Sequence, residues 1–162
     1  MKINKEDEYG LRILLRIARA NNSSGLSIPQ LSEQENLSQS YVGKLTRALR
    51  LGGLVESNRG QKGGYVLAQA PSEINMKSVI DALGGQLFSK DFCGSHSGMS
   101  RLCTNSVDCS VRSLWKILQH TVDKVFESVT LADLIGDESK SKSALDEMIS
   151  QLFADQSMPI SS

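Results

Sequence analysis

Apolar residues first recur at Leu11, Leu14, Leu15 and Ala18, spacings of three and four that share one face of a helix. Asn4 suits the N-cap of this helix, and Glu6, Asp7 and Glu8 fill its first turn, where carboxylates meet the positive end of the dipole. The helix is predicted to run to about Asn21, ahead of the polar break Asn22-Ser23-Ser24-Gly25. Ser27-Ile28-Pro29-Gln30 has the form of a capping box with proline in the first turn, so a short second helix is expected from Ile28 to about Gln34. After a break at Leu37 and Ser38, a third helix is expected from Gln39 to Leu51, where Gly52-Gly53 stops it. At about 100° per residue its faces separate cleanly. Val42, Leu45 and Leu49 lie on one side, and Ser40, Gly43, Lys44, Arg47 and Leu51 on the other, with Arg50 beside them.

Two short strands, Leu54 to Ser57 and Tyr65 to Leu67, are predicted around the loop Asn58-Arg59-Gly60-Gln61-Lys62-Gly63-Gly64. Asn75 then caps a helix through about Leu83, ended by Gly84-Gly85. No period is readable from Gln86 to Asp108, and a stretch of that length inside a compact domain is usually functional or disordered. The longest amphipathic run follows: Val111, Leu114, Trp115, Leu118, Val122, Val125, Phe126 and Val129. So long a stripe beside a small domain has too little of its own protein to cover it, so a symmetric homodimer is expected. Thr130 to Asp133 reads as a further cap and short helix. From Gly136 the chain reads as a mobile tail, in which Leu145, Met148, Ile149 and Leu152 can form an amphipathic pair of turns.

Three helices followed by a glycine-rich hairpin make the layout of a winged helix-turn-helix, whose third helix enters the major groove. The fold class expected is mainly α with a small two-stranded wing, together with a long dimerisation helix. The domains are a DNA-binding domain over 1–70, a cysteine-bearing loop and dimerisation helix over 71–135, and a flexible tail over 136–162. Ser38, Gln39, Ser40, Lys44 and Arg47 are assigned to DNA on the third helix, and Arg59 and Lys62 on the wing. Glycines beside the last two let the backbone approach a sugar-phosphate chain.

Charge supports this placement. The net formal charge is zero over 162 residues, yet residues 1–70 hold ten lysines and arginines against six acids, and the remainder holds eight against twelve. The basic half is the half with the helix-turn-helix, which points to double-stranded DNA as its partner. No apolar run approaches the ~20 residues of a membrane-spanning helix, so no membrane partner is expected. The opening residues turn acidic where a secretory signal would turn apolar, and a reducing cytoplasm follows as the expected location.

All three cysteines, Cys93, Cys103 and Cys109, fall within seventeen residues of a chain otherwise free of them. A cytoplasmic protein has little use for a structural disulfide, so metal binding or redox chemistry leads. Thiolates suit an iron–sulfur cluster, zinc or cuprous copper, and the absence of a two-residue gap lowers zinc. Three thiolates leave a fourth position open to His96 or Asp108, or to a carboxylate such as Glu8 reaching from a second subunit, with Asp7 its nearest substitute. Inert thiols or a thiol-only redox sensor remain alternatives. Only two histidines, His96 and His120, are present and no nucleophile–base arrangement is readable, so catalysis is not expected.

The segment from Leu37 to Val55, then Arg59-Gly60-Gln61-Lys62-Gly63-Gly64-Tyr65-Val66-Leu67, closely resembles the bacterial IscR, NsrR and RirA family of winged-helix iron–sulfur regulators. The likeness covers about residues 1–135 and includes Met1-Lys2-Ile3 and the run Cys109-Ser110-Val111-Arg112-Ser113-Leu114-Trp115. It implies a dimeric repressor that senses iron–sulfur, nitric oxide or redox status, with Cys93, Cys103 and Cys109 as ligands of a 2Fe–2S or 4Fe–4S cluster. In the IscR branch a histidine three residues after the last cysteine completes the set; Arg112 stands there in this chain. In the NsrR branch a first-helix carboxylate of the other subunit does so, and Glu8 aligns with it. The gap between Cys93 and Cys103 is longer than relatives usually have, Lys62 replaces a wing glycine, and Gly43 stands where IscR-like proteins can carry an acidic base reader.

Overall fold

The computed structural model describes residues 3–20, 24–58, 63–85 and 108–154, apart from the side chains of residues 152 and 153. Helix α1 spans Lys5–Ala20, α2 Ile28–Glu35 and α3 Gln39–Leu51. Strands β1, Val55–Ser57, and β2, Tyr65–Leu67, follow, then a 3-10 turn at Pro71–Glu73 and α4, Met76–Leu83. The C-terminal part holds α5, Ser110–Ser128, α6, Leu131–Ile135, and α7, Glu138–Ala154. The fold is a mostly helical winged helix with one two-stranded antiparallel sheet, in which Val55 pairs with Leu67 and Ser57 with Tyr65.

The helix starts are where side-chain caps satisfy otherwise orphaned N–H groups. The Asp7 amide donates to Asn4 Oδ1 at 2.7 Å, and the Asn4 amide donates back to the Asp7 carboxylate at 3.3 Å. Ser27 and Gln30 form the capping box of α2, Ser38 accepts from the Tyr41 amide at the start of α3, and Asn75 accepts from the Ser78 amide at 2.8 Å. Asn36, at φ 53°, closes α2 in the left-handed conformation that asparagine tolerates better than most residues.

The core joins α1, α2, α3 and α4 through Ile13, Leu14, Leu31, Val42, Leu45, Leu49 and Val79, with Leu54 and Ile74 beneath the wing and turn. The face of α1 differs from its sequence prediction. Ile13, Leu14 and Ile17 are its buried apolar residues, whereas Leu11, Leu15 and Ala18 are only partly covered. The helix touches α2, α3, α4, α6 and β2, so neighbours on several sides cover more of it than a single stripe. Leu26 adds an unforeseen antiparallel bridge to the sheet, exchanging backbone hydrogen bonds with Tyr65 at 3.1 and 2.8 Å. Gly64 sits so close to the Gly25 and Leu26 backbone that a Cβ there would come within 2.8 Å, which requires glycine at this wing position.

The C-terminal elements dock through a second backbone exchange. Met76 donates to the Val129 carbonyl and Leu131 to the Ile74 carbonyl, both at 2.8 Å, and Val129 and Leu131 are buried. Arg19 donates to the carbonyls of Leu134, Ile135 and Gly136, covering the C-terminal end of α6 from α1. Within the segment expected to be a mobile tail, helix α7 spans Glu138–Ala154. Leu145 and Met148 pack against the core, whereas Ile149 stays 41% exposed. The pairing of those two apolar side chains with the body gives the helix a tertiary anchor that its weak amphipathic pattern did not disclose.

Candidate nucleic-acid interface and the cysteine-bearing helix

On α3 the division of faces follows the sequence. Val42, Leu45 and Leu49 are buried, and Ser40, Lys44, Arg47, Arg50 and Leu51 are exposed. Ser38 and Gln39 are exposed too; Ser38 is occupied as the N-cap and lies 3.2 Å from the Ser40 hydroxyl. Thr46, wholly buried, donates to the Val42 carbonyl at 3.0 Å, which lets a polar residue sit on the core face. Gly43 lies inside the exposed stripe, and a Cβ there would meet only Ile28, at an ordinary 3.7 Å. Packing therefore does not call for glycine at this position, although glycine weakens a helix interior by about 1 kcal/mol relative to alanine.

Lys44 is not a free cation. Its ammonium pairs with the carboxylate of Glu6 on α1, and that hydrogen bond, with the attraction of the charge, holds the lysine above its ordinary pKa. Arg59 and Lys62 of the wing lie outside the described residues. The strands that carry the wing are closed by an Asn58 amide donating to the Gly64 carbonyl at 2.8 Å.

Sequence reading missed a second charged cluster. Glu35, 5% exposed, accepts from Arg12 and Arg16 on α1, each at 2.6 Å, and Arg12 stacks over the Tyr9 ring, itself edge-on to Tyr41. Two arginines four apart on one helix face were the available signal that a buried carboxylate opposes them. This cluster ties α1 to α2 and α3. Two of the cations behind the basic half-chain thus serve the helix-turn-helix internally.

Of the proposed sulfur ligands, Cys93 and Cys103 lie outside the described residues, as does His96. Cys109 is a free thiol at the N-cap of α5, its sulfur accepting from the Arg112 amide at 3.3 Å. Among the candidate carboxylates, Glu8 and Asp108 are exposed. Asp7 instead faces inward at 7% exposure, bound in the Asn4 capping box, and its Oδ1 has no hydrogen-bond partner among the described residues. Burial pushes the Asp7 carboxyl above the usual range. Its carboxylate lies against Gly85, where a Cβ would overlap it. Asp7 and Glu8 border a cavity of about 400 Å³ whose walls include Leu11, Ile80, Phe126 and Leu145. Among the described residues, no three histidine, cysteine or acidic side chains gather as a metal site.

Helix α5 has no buried residue. Val111, Leu114, Trp115, Ile117 and Leu118 are exposed by 57, 51, 41, 64 and 43%, an apolar face left open among the described residues. Among the described residues, no helix is long and apolar enough to cross a membrane.

A helix-turn-helix with a wing, followed by a long helix carried at its side, is the build of a winged-helix regulator of transcription. The model of one family, Rrf2, described as an iron-dependent transcriptional regulator, matches residues 3–137, and the chain belongs to that family. The HTH-type transcriptional regulator CymR of Bacillus subtilis is 31% identical over 134 residues, which cover 83% of this chain and 89% of that protein. The structure of CymR, the global cysteine regulator of B. subtilis, superposes with a TM-score of 0.61 at 29% identity, covering 83% of this chain and 96% of the other. That of T. potens IscR superposes with a TM-score of 0.64 at 28% identity, covering 83% and 86%. The relatives are named as regulators of transcription and none of these names denotes an enzyme.

Proposed function

We propose that this Rrf2-family regulator is a cytoplasmic homodimeric repressor whose DNA affinity follows the state of an iron–sulfur cluster, of the 2Fe–2S or 4Fe–4S type, held by Cys93, Cys103 and Cys109. The observation that carries the sensing part is the position of Cys109. It caps the helix whose uncovered apolar face is suited to a second copy, so a ligand bound there bears directly on how two subunits meet. The donor set fits such a group, because thiolates are its usual ligands and the Cys109 sulfur stands at a helix start rather than in the core. Bound there, the cluster supplies a redox- and nitric-oxide-sensitive iron centre. Glu8 of the second subunit is the fourth ligand in this reading: its carboxylate faces outward, whereas Asp7 is buried and engaged by Asn4.

Ser38, Gln39, Ser40, Lys44 and Arg47 meet the major groove and its phosphates, and Arg59 and Lys62 hold the wing to the backbone. A change at Cys109 shifts the two α5 helices and with them the distance between the recognition helices. A tenfold change in affinity requires only about 1.4 kcal/mol of difference between the states.

The likeness to CymR favours a second reading, in which oxidation of the same thiols, or zinc, replaces the cluster while DNA binding is kept. Air-free reconstitution with ferrous iron and sulfide separates the two. Wild type is expected to take up both and to colour, and a Cys93→Ala, Cys103→Ala, Cys109→Ala triple variant to take up neither; equal iron in both proteins rejects the cluster. Glu8→Ala is expected to change the visible spectrum or shorten the life of the cluster with the dimer intact, and an unchanged spectrum removes Glu8 from the ligand set.

A further inference from the structure

The ion pair between Glu6 and Lys44 joins the first turn of α1 to the outward stripe of α3, across 38 positions of sequence. Its partners are 40% and 61% exposed, and ion pairs so open to water add little to stability. An acid in the first turn of a helix is favourable without any partner, so the helix dipole accounts for a carboxylate at Glu6 but not for its union with a recognition-helix cation. The pair also lies on the face that the DNA reading gives to a polyanion, where a carboxylate is repelled by phosphate. Arg12 and Arg16, also on α1, are engaged by Glu35 rather than by Glu6.

We propose that Glu6 is an internal competitor of the DNA phosphates for Lys44 and thereby lowers the affinity of the recognition helix for any duplex. The inference rests on the reading of α3 as the DNA-facing helix. Lys44 leaves Glu6 when it meets a phosphate, and the carboxylate so released takes up a counterion from solution. The cations freed from DNA by Lys44 are offset by those bound at Glu6, so Lys44 contributes little to the salt dependence of wild-type binding.

The experiment is a double-mutant cycle with Glu6→Gln and Lys44→Gln in the full chain, measured on a duplex selected by the protein from a random library, over a series of salt concentrations. Glu6→Gln is expected to tighten binding about three- to tenfold and to steepen the slope of log K against log salt by up to ~0.9. In the Lys44→Gln background the same substitution is expected to do much less. An unchanged or weakened Glu6→Gln complex, or an equal gain with and without Lys44, overturns the proposal while leaving the DNA-facing helix in place. If Lys44→Gln has no effect even alongside Glu6→Gln, the assignment of Lys44 to DNA falls and the competitor with it. Both side chains are exposed, so the thermal midpoint is expected to stay within about 2 °C and serves as the control for folding.

Discussion

Leu14 and Leu49 in the N-terminal body and Leu114 and Leu118 on α5 occupy the same kind of position, an apolar residue repeated at three and four along a helix. The first two are completely covered by their own chain, whereas the second two remain 51 and 43% exposed. A repeat of this kind says which face of a helix seeks cover but not what covers it. In the body, five short elements close on α1 from different sides. Helix α5 is docked mainly at its C-terminal end, where Val129 meets the Met76 amide, and about 28 Å of helix extends from there at 1.5 Å per residue. The body holds itself together, whereas the described residues leave the apolar face of α5 uncovered.

The contrast is broken most severely by charging the open face. A Leu114→Asp, Leu118→Asp pair is expected to convert the dimer to monomer in sedimentation and to lower DNA affinity by about 100-fold or more, with the helical content of the body kept. A variant that sediments like wild type would show that the face is covered in some other way. The same residue type in the body should behave in the opposite sense. Leu49→Ala is expected to destabilise by about 2–5 kcal/mol in denaturant unfolding, with the assembly state unchanged wherever the protein is folded. Cost and consequence then separate by region.

The smallest effect is expected at Gly43. With only Ile28 nearby, Gly43→Ala should stabilise the helix by up to about 1 kcal/mol, yet weaken DNA binding if the bare backbone there lies against the groove. Stabilisation with undiminished binding would place the duplex elsewhere on α3.

Most helix limits were legible because caps and stops are local. Asn4, Ser27, Ser38 and Asn75 each bond the amide three residues ahead, and Asn36 and Gly84 adopt the left-handed conformation that ends a helix. What the sequence did not disclose is tertiary. The burial of Ile13 and Ile17 depends on neighbours from distant segments, the bridge between Leu26 and Tyr65 on the path of the chain, and the packing of α7 on where Leu145 and Met148 dock. The same holds for the interface. The exposed stripe of α3 follows from its period, but the engagement of Lys44 by Glu6, and of Arg12 and Arg16 by Glu35, could be seen only once α1 was laid across α2 and α3. Charge counts overstate the cations free for DNA.

The central claim is that an inorganic group at the cysteines sets the grip of a paired molecule on DNA. Its most direct test is the affinity of one air-free preparation for one selected duplex, measured after loading with iron and sulfide and again after removal of the metal with a chelator, alongside the triple cysteine variant. At least a tenfold difference is expected between the two wild-type states and none for the variant. Equal affinity in both wild-type states, with iron and sulfide demonstrably bound in the first, would contradict it.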